Sequence, residues 1–488
     1  MTENKNFISA KDLMDLGLSR RSEIMSQALK LANKTMASGQ ADRKDIMERL
    51  SRLILTPAEV PDDDSFLPLA RSLLAARQEE RGWAERERPA PWRSWGESEI
   101  EANAINQMVQ ACRLPMAVRG AIMPDAHFGY GLPIGGVLAV KKAVIPYAVG
   151  VDIACRMRLT VLDWPMDSLT SRRGELKAAL ENETRFGAGA AFGPGERRAH
   201  EVMDEDWSVS PVTAQLKDRA WKQLGTSGGG NHFVEFGELH LPASELGLPA
   251  GSYLAILSHS GSRGTGEQVA EHYSRLAKHL RPWLPPAIKN LAWLDEDSQA
   301  GREYWAAMEL MGRYAAANHD LIHRHILAAL GAEALASVEN HHNFAWREEH
   351  DGQEVIVHRK GATPADRGRL GLIPGSMASP GFVVRGRGCP ESLFSCSHGA
   401  GRCLSRTAAL KNLNWETVTA YLAERGVELI SGGLDEAPMA YKDIEKIMAA
   451  QADLVDIVAR FEPRLVKMAP GKNEAGSREL FIVEDINI

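Results

Sequence analysis

Seven short segments between residues 123 and 402 each set a side chain able to hold metal or phosphate among small residues. They are Met123-Pro-Asp-Ala-His127 with Gly129-Tyr-Gly131, Gly150-Val-Asp-Ile-Ala-Cys155 and Gly225-Thr-Ser-Gly-Gly-Gly-Asn-His-Phe-Val-Glu235. Next come Ser258-His-Ser-Gly-Ser-Arg-Gly264, Asn340-His-His-Asn343, Ile373-Pro-Gly-Ser-Met377 and Ser395-Cys-Ser-His-Gly-Ala-Gly-Arg402. Glycines beside such groups let a phosphate and the backbone approach one another. A metal site built from His, Cys and Asp needs its ligand atoms within about 2–2.5 Å of the ion. Segments this far apart act together only if the fold returns their loops to one place.

Taken singly, each segment also has a purely structural reading. Asp152 and Cys155 suit a turn acid and a buried thiol, and His232 and His259 suit satisfied core or strand-end histidines. His341 and His342 are adjacent, and a strand would point them to opposite faces, so at most one is expected to be a ligand. His127 fits a supporting role. His398 fits a cap on a helix spanning 405–413, or a nucleophile or ligand, with Arg402 able to fork onto phosphate oxygens. The remaining histidines (200, 240, 272, 279, 319, 323, 325, 350 and 358) read as mostly surface positions and are assigned nothing.

Several standard sites are absent. The run from Gly225 to Gly230 lacks the Gly-Lys-Ser/Thr of a P-loop, and no His-Glu-x-x-His or helix-opening Gly-x-Gly-x-x-Gly occurs. The lysine of Lys-x-Asp-Gly, the covalent carrier in ordinary nucleotidyl-transfer ligases, is missing too. The five cysteines (112, 155, 389, 396 and 403) form no CxxC pair, which predicts reduced thiols rather than a disulfide framework or zinc ribbon. No apolar run approaches membrane-spanning length and the N-terminus carries no signal-peptide core, so a cytoplasmic protein without membrane attachment is expected. The net charge of −7 argues against wholesale coating of nucleic acid. Residues 354–411 nevertheless carry nine Lys/Arg (359, 360, 367, 369, 385, 387, 402, 406, 411) against three acids (354, 366, 391), a local excess suited to a phosphate-bearing ligand.

Helical patterns cover the first ninety residues. A capping box at Ser9 and Asp12 opens a helix through Leu31, and further helices span 42–55 and 67–81 before a linker at 86–91. Beyond residue 97, one helix at 99–112 precedes short β-type runs at 136–140, 157–162, 253–258, 354–358 and 381–384. Long helices are expected at 268–280, 302–330, 415–425 and 442–459, the last because Ile444, Ile447, Met448, Leu454, Val455 and Val458 read as one helical face. Strands and helices mix without strict alternation, which predicts an α+β fold, with mixed β-sheets flanked by helices and a site built from Gly-rich loops.

Together and in order, the seven segments resemble the RtcB family of RNA-splicing ligases. The similarity runs from about residue 97 to about 448, leaving 1–92 as an N-terminal helical extension to a ligase domain at 93–488. The resemblance implies a GTP-dependent ligase joining RNA 3′-phosphate or 2′,3′-cyclic phosphate ends to 5′-hydroxyl ends, in tRNA splicing or RNA repair. It implies Asp152, Cys155, His232, His259 and His342 as ligands of two manganese ions, with Cys155 shared and His342 chosen because Asn343 follows it. His398 corresponds to the histidine that takes GMP from GTP. Asn231, His232, Phe233, Val234, Glu235, His342, Asn343, Pro374, Gly375, Ser376, Met377, His398, Gly399, Ala400 and Gly401 correspond to the guanylate pocket, and Arg263 and Arg402 to phosphate-holding arginines. A monomer is expected, with the need for an activating protein partner left open. Departures from the family pattern are Ala154 and Arg156 in place of glycines, Gly381 in place of a serine, and Met468-Ala-Pro-Gly-Lys-Asn473 in place of a terminal Lys-Gly. Two other readings use the same residues: a metal-dependent cyclic phosphodiesterase that no longer seals, and a non-catalytic RNA-binding module.

Overall fold

The computed structural model describes residues 7–18, 23–39, 41–61, 63–82 and 84–471. Lys472 lies outside them. The capping box at the first helix is present: Ser9 Oγ accepts the Asp12 N–H at 3.3 Å and the Asp12 carboxylate accepts the Ser9 N–H at 2.8 Å. That helix is only Ala10–Asp15, because Gly17 turns the chain at φ +96° and Leu18 closes back onto Leu13. The expected continuous helix to Leu31 is therefore two, the second running Glu23–Ala37. With Arg43–Leu55 and Leu67–Gly82 these helices bury Leu13, Met25, Ile46, Leu50, Phe66 and Leu69 in a core of their own. From Arg86 onward the backbone bonds instead to the second body, Arg86 N–H to Arg113 O and Ala90 N–H to Cys112 O.

That body holds two main sheets, an α+β arrangement. The smaller has five strands in the order Trp92–Ser94, Ala117–His127, Ile134–Val140, Gln353–Lys360, Asn343–His350. The larger has eight: Leu370–Ile373, Gly381–Gly386, Val455–Met468, Phe233–Leu241, Gly251–Ser260, Arg156–Leu162 and Ala334–His341 in order, with Glu428–Ser431 added beside Val455–Met468. Neighbours along that path are antiparallel where it matters most. Phe233 lies opposite His259, while Arg156 lies opposite both Ser260 and His341. The starts of two strands and the ends of two others thus meet at one edge.

Val455–Met468 corrects the expected helix over 442–459. The helix there is Ile444–Ala450, capped by Asp443, and Ile444, Ile447 and Met448 do form its buried face. The chain turns at 451–454, and Val455 onward becomes a strand paired to Gly381–Gly386 on one side and Phe233–Leu241 on the other. The apolar spacing of Leu454, Val455 and Val458 suited either period, and two waiting strand edges decided it.

The long helix Gln299–Leu330 crosses the back of the larger sheet. Here the reading of His319 and His323 as surface residues fails: both are buried, and Ser258 Oγ lies 2.8 Å from His319 Nδ1 and from His323 Nε2. His350 and His358 are buried as well, the first on Glu348 at 2.8 Å, the second accepting the Ile145 N–H at 2.9 Å. The basic excess over 354–411 is not a free patch either. Arg359 is fully buried on Glu348, Arg385 pairs with Glu245, Arg387 with Asp456, and Arg402 and Arg406 with the acids at 435–436. Acids distant in sequence supply the balance that the local count missed.

Candidate functional site

The shared edge of the larger sheet carries His232, one residue before its strand, and His259, one before its strand's end. Cys155 immediately precedes Arg156–Leu162, and His342 links Ala334–His341 to the first strand of the hairpin in the smaller sheet. Residues up to 190 positions apart in sequence thereby meet between the two sheets. Cys155 Sγ is 3.3 Å from His232 Nε2 and 3.1 Å from His259 Nε2, and His259 Nε2 is 3.3 Å from His342 Nε2. Asp152 Oδ2 lies 3.0 Å from His232 Nε2. Two groups with metal-ligand spacing result, Asp152–Cys155–His232 and Cys155–His259–His342, sharing the thiol.

The alternation expected at His341 and His342 is seen. His341 turns away, its Nδ1 3.2 Å from Arg156 Nη2 and its ring stacked on Trp346, while His342 faces the thiol side. Asn343 stitches the turn, donating to Asp152 O at 3.1 Å and accepting the Gly361 N–H at 2.7 Å.

Electrostatics suit ligation. Burial holds His232, His259 and His342 neutral, His259 down to about 3, so their lone pairs stay available. Burial opposes the Asp152 charge more than any single partner favours it, yet His232, Arg263 and the Cys155 hydrogen bond together outweigh it and the carboxyl sits well below its usual range. Burial, then Asp152, push the Cys155 thiol far up, a penalty that a bound cation removes by holding the thiolate. His259 Nδ1 is fixed on Asn231 O at 3.1 Å, which points Nε2 inward. His232 Nδ1 accepts from Arg263 Nη1 at 3.1 Å. A cation held by Nε2 would require the ring proton on Nδ1 and so would displace the Arg263 contact there; Arg263 also donates to Ser227 O and Ser260 Oγ, each at 3.1 Å. Gly228 is needed here: φ is +99°, and a Cβ would sit 1.6 Å from the Arg263 guanidinium.

His398 follows the short strand Ser395–Ser397, its ring centroid 5.0 Å from that of His342. The sequence reading gave no role to Asp125, and the structure does. One oxygen, Oδ2, accepts His398 Nδ1–H at 2.6 Å, the His398 N–H at 3.1 Å and the Gly399 N–H at 3.3 Å. Asp125 is wholly buried; burial works against its charge, but the interaction with His398, followed by the nearby Lys442 ammonium, keeps the carboxyl low. A carboxylate on Nδ1 leaves the lone pair on Nε2. Lys442 grips the same strand through Pro124 O and Ala126 O, at 3.2 and 2.7 Å. The Pro-Asp-Ala-His motif was a signal for this, but nothing local told which loop the acid would serve.

The other expected positions are gathered less tightly. Glu235 is buried, which pushes its carboxyl well up. Ser376 Oγ lies 2.8 Å from Ser379 Oγ on the Pro374–Met377 turn, and Gly399 packs 3.3 Å from Pro374 O by its would-be Cβ. Gly381 leaves ordinary space for a side chain, the nearest atom to an added Cβ being Pro374 Cα at 3.5 Å. Arg402 is engaged by Glu436 at 3.1 Å and Asp435 O at 2.7 Å. Arg156 is buried, with Nε and Nη1 lacking hydrogen-bond partners among the described residues.

The family model described as tRNA-splicing ligase RtcB matches residues 107–210 and 198–468. The chain is 34% identical over 397 residues to the RNA-splicing ligase RtcB of Escherichia coli, covering 76% of this chain and 95% of that protein. It is 33% identical to the RNA-splicing ligase RtcB of Mycobacterium tuberculosis (73% and 98% covered) and 31% identical to the tRNA-splicing ligase RtcB of Thermococcus kodakarensis (74% and 89%).

Proposed function

The chain belongs to the RtcB family, and we propose that it is an RNA ligase that seals 3′-phosphate or 2′,3′-cyclic phosphate ends to 5′-hydroxyl ends with GTP. The observation that carries this reading is His398, its Nδ1 held by a buried carboxylate beside two ligand groups sharing Cys155. The donor set fits two divalent cations: Asp152, Cys155 and His232 would hold one, and Cys155, His259 and His342 the other. Manganese is the ion the family resemblance implies, and such a pair supplies charge neutralisation at phosphate oxygens.

His398 Nε2 attacks the α-phosphorus of GTP; the N–P bond forms as the bond to pyrophosphate breaks. The imidazole then carries positive charge, which the Asp125 carboxylate offsets. Water opens a cyclic end to the 3′-phosphate, whose oxygen displaces His398 and takes the GMP, giving RNA(3′)pp(5′)G. The 5′-hydroxyl attacks the RNA phosphorus, loses its proton, and expels GMP. Asn231 through Glu235, His342, Asn343, Pro374 through Met377 and His398 through Gly401 form the guanylate pocket. Arg263 and Arg402 hold phosphates. This reading takes the protein as a cytoplasmic monomer with residues 1–92 outside the catalytic unit.

The test is incubation with α-labelled GTP and Mn²⁺, with His398→Ala alongside. An acid-labile label on the wild type alone is expected. Label from ATP instead would reassign the nucleotide, and no label from either in folded, metal-loaded protein would sink the reading.

A further inference from the structure

Nine large apolar side chains stand exposed among the described residues, and four of them are aromatic: Phe7, Phe128, Tyr130 and Trp221. Two of those four fall within three residues of one another, on the loop that leaves the Asp125 strand. Phe128 is 58% exposed and Tyr130 50%. An open pair of rings on a floppy loop would mean little, but this loop is held from three sides. The Gln107 amide clamps Gly129, accepting its N–H at 3.0 Å and donating to its carbonyl. The buried Lys360 ammonium donates to Tyr130 O at 2.5 Å. Gly131, at φ +72°, packs so close to Asn290 that a Cβ there would meet Asn290 O at 2.7 Å.

Tyr130 also leads to a third ring. Tyr130 and Tyr147 have centroids 6.3 Å apart, and Lys278 Nζ sits 4.5 Å over the Tyr147 ring. This row is joined to both halves of the site. Phe128 follows Asp125, which holds His398, by three residues, and Tyr147 precedes Asp152 by five. Immediately after the loop, Ile134 lies beside the same Gly361 that borders His398: an added Cβ at Gly361 would be 2.5 Å from Ile134 Cγ2 and 3.1 Å from His398 Cε1.

We propose that Phe128 and Tyr130 form a stacking platform for the unpaired bases of the RNA end that reaches His398. Flat, rigidly mounted, exposed rings with a cation at their margin match an unstacked nucleobase on a charged backbone, and such rings read a base face without requiring a particular sequence. This rests on the RNA-ligase reading and adds to it where the strand lies.

Direct binding of a short single-stranded RNA ending in a 3′-phosphate, followed by fluorescence anisotropy, tests the platform. Phe128→Ala and Tyr130→Ala should each weaken binding about tenfold, and Phe128→Trp should retain it. The loss should vanish on an RNA whose two terminal nucleotides carry no base. Guanylylation from labelled GTP needs no RNA and separates the two levels. No label on the wild type overturns the ligase reading, whatever the RNA does. Normal label with unchanged binding in both alanine variants overturns the platform. An equal loss on base-bearing and baseless RNA also overturns it, showing that the rings serve the backbone or a protein partner instead.

Discussion

Replacing Asp125 by Asn keeps the shape of the group beneath His398 and removes its charge. The Asn carbonyl can still accept the His398 and Gly399 N–H groups now held at 3.1 and 3.3 Å. The expected cost to folding is therefore modest, about 1–2 kcal/mol for weakened hydrogen bonds. The cost to reaction is larger. When His398 Nε2 takes a phosphorus atom, the imidazole becomes cationic with the carboxylate oxygen 2.6 Å from its Nδ1. A unit charge pair about 4 Å apart at an effective dielectric of ~20 is worth about 4 kcal/mol. Losing it should slow transfer of GMP to His398 roughly 10³-fold. The assay is single-turnover labelling by α-labelled GTP at saturating nucleotide, with bound Mn²⁺ measured on the same samples. A variant that labels within threefold of the wild type, with metal content unchanged, would refute the assignment of Asp125 as the group that positions and neutralises His398.

Because Cys155 belongs to both ligand groups, Cys155→Ala should abolish tight binding at both metal positions, whereas His342→Ala should spare the Asp152 side; titration calorimetry with Mn²⁺ reads the stoichiometry. His358 is buried and burial pushes it down to about 4, below its unfolded value of about 6.5. The unfolded chain then binds the extra proton first, so the neutral ring's contribution is intact above pH ~6.5 and falls by about 2 kcal/mol by pH 5. His358→Leu, though less stable overall, should flatten that part of the acid limb in urea denaturation followed by circular dichroism. Arg156 is buried with Nε and Nη1 unpartnered, and its nearest acid, Glu339, is 3.9 Å away and 45% exposed. Arg156→Met should therefore stabilise the protein by about 1–2 kcal/mol, seen as a raised urea midpoint; a lowered midpoint would show that the guanidinium is a needed support.

What could be read from the chain alone was chemistry of a local kind. The cap at Ser9, the helix start at Ser405 and the α+β mixture follow from neighbouring residues, because caps and periodicity act over a few positions. The grouping of Asp152, Cys155, His232, His259 and His342 came from the resemblance of seven ordered segments to one family, since each segment alone also suited a structural role. Their meeting place was not. It comes from antiparallel register at one sheet edge, where Phe233 faces His259 and Arg156 faces His341, and register is a property of pairs of strands. The same holds for Asp125, whose partner His398 lies 273 residues on, and for the cations of 354–411, whose acids are elsewhere in the chain. Val455–Met468 marks the boundary most plainly. Its apolar spacing fitted a helix, and only two unpaired strand edges on either side, with their backbone hydrogen bonds to satisfy, made extension the lower free energy.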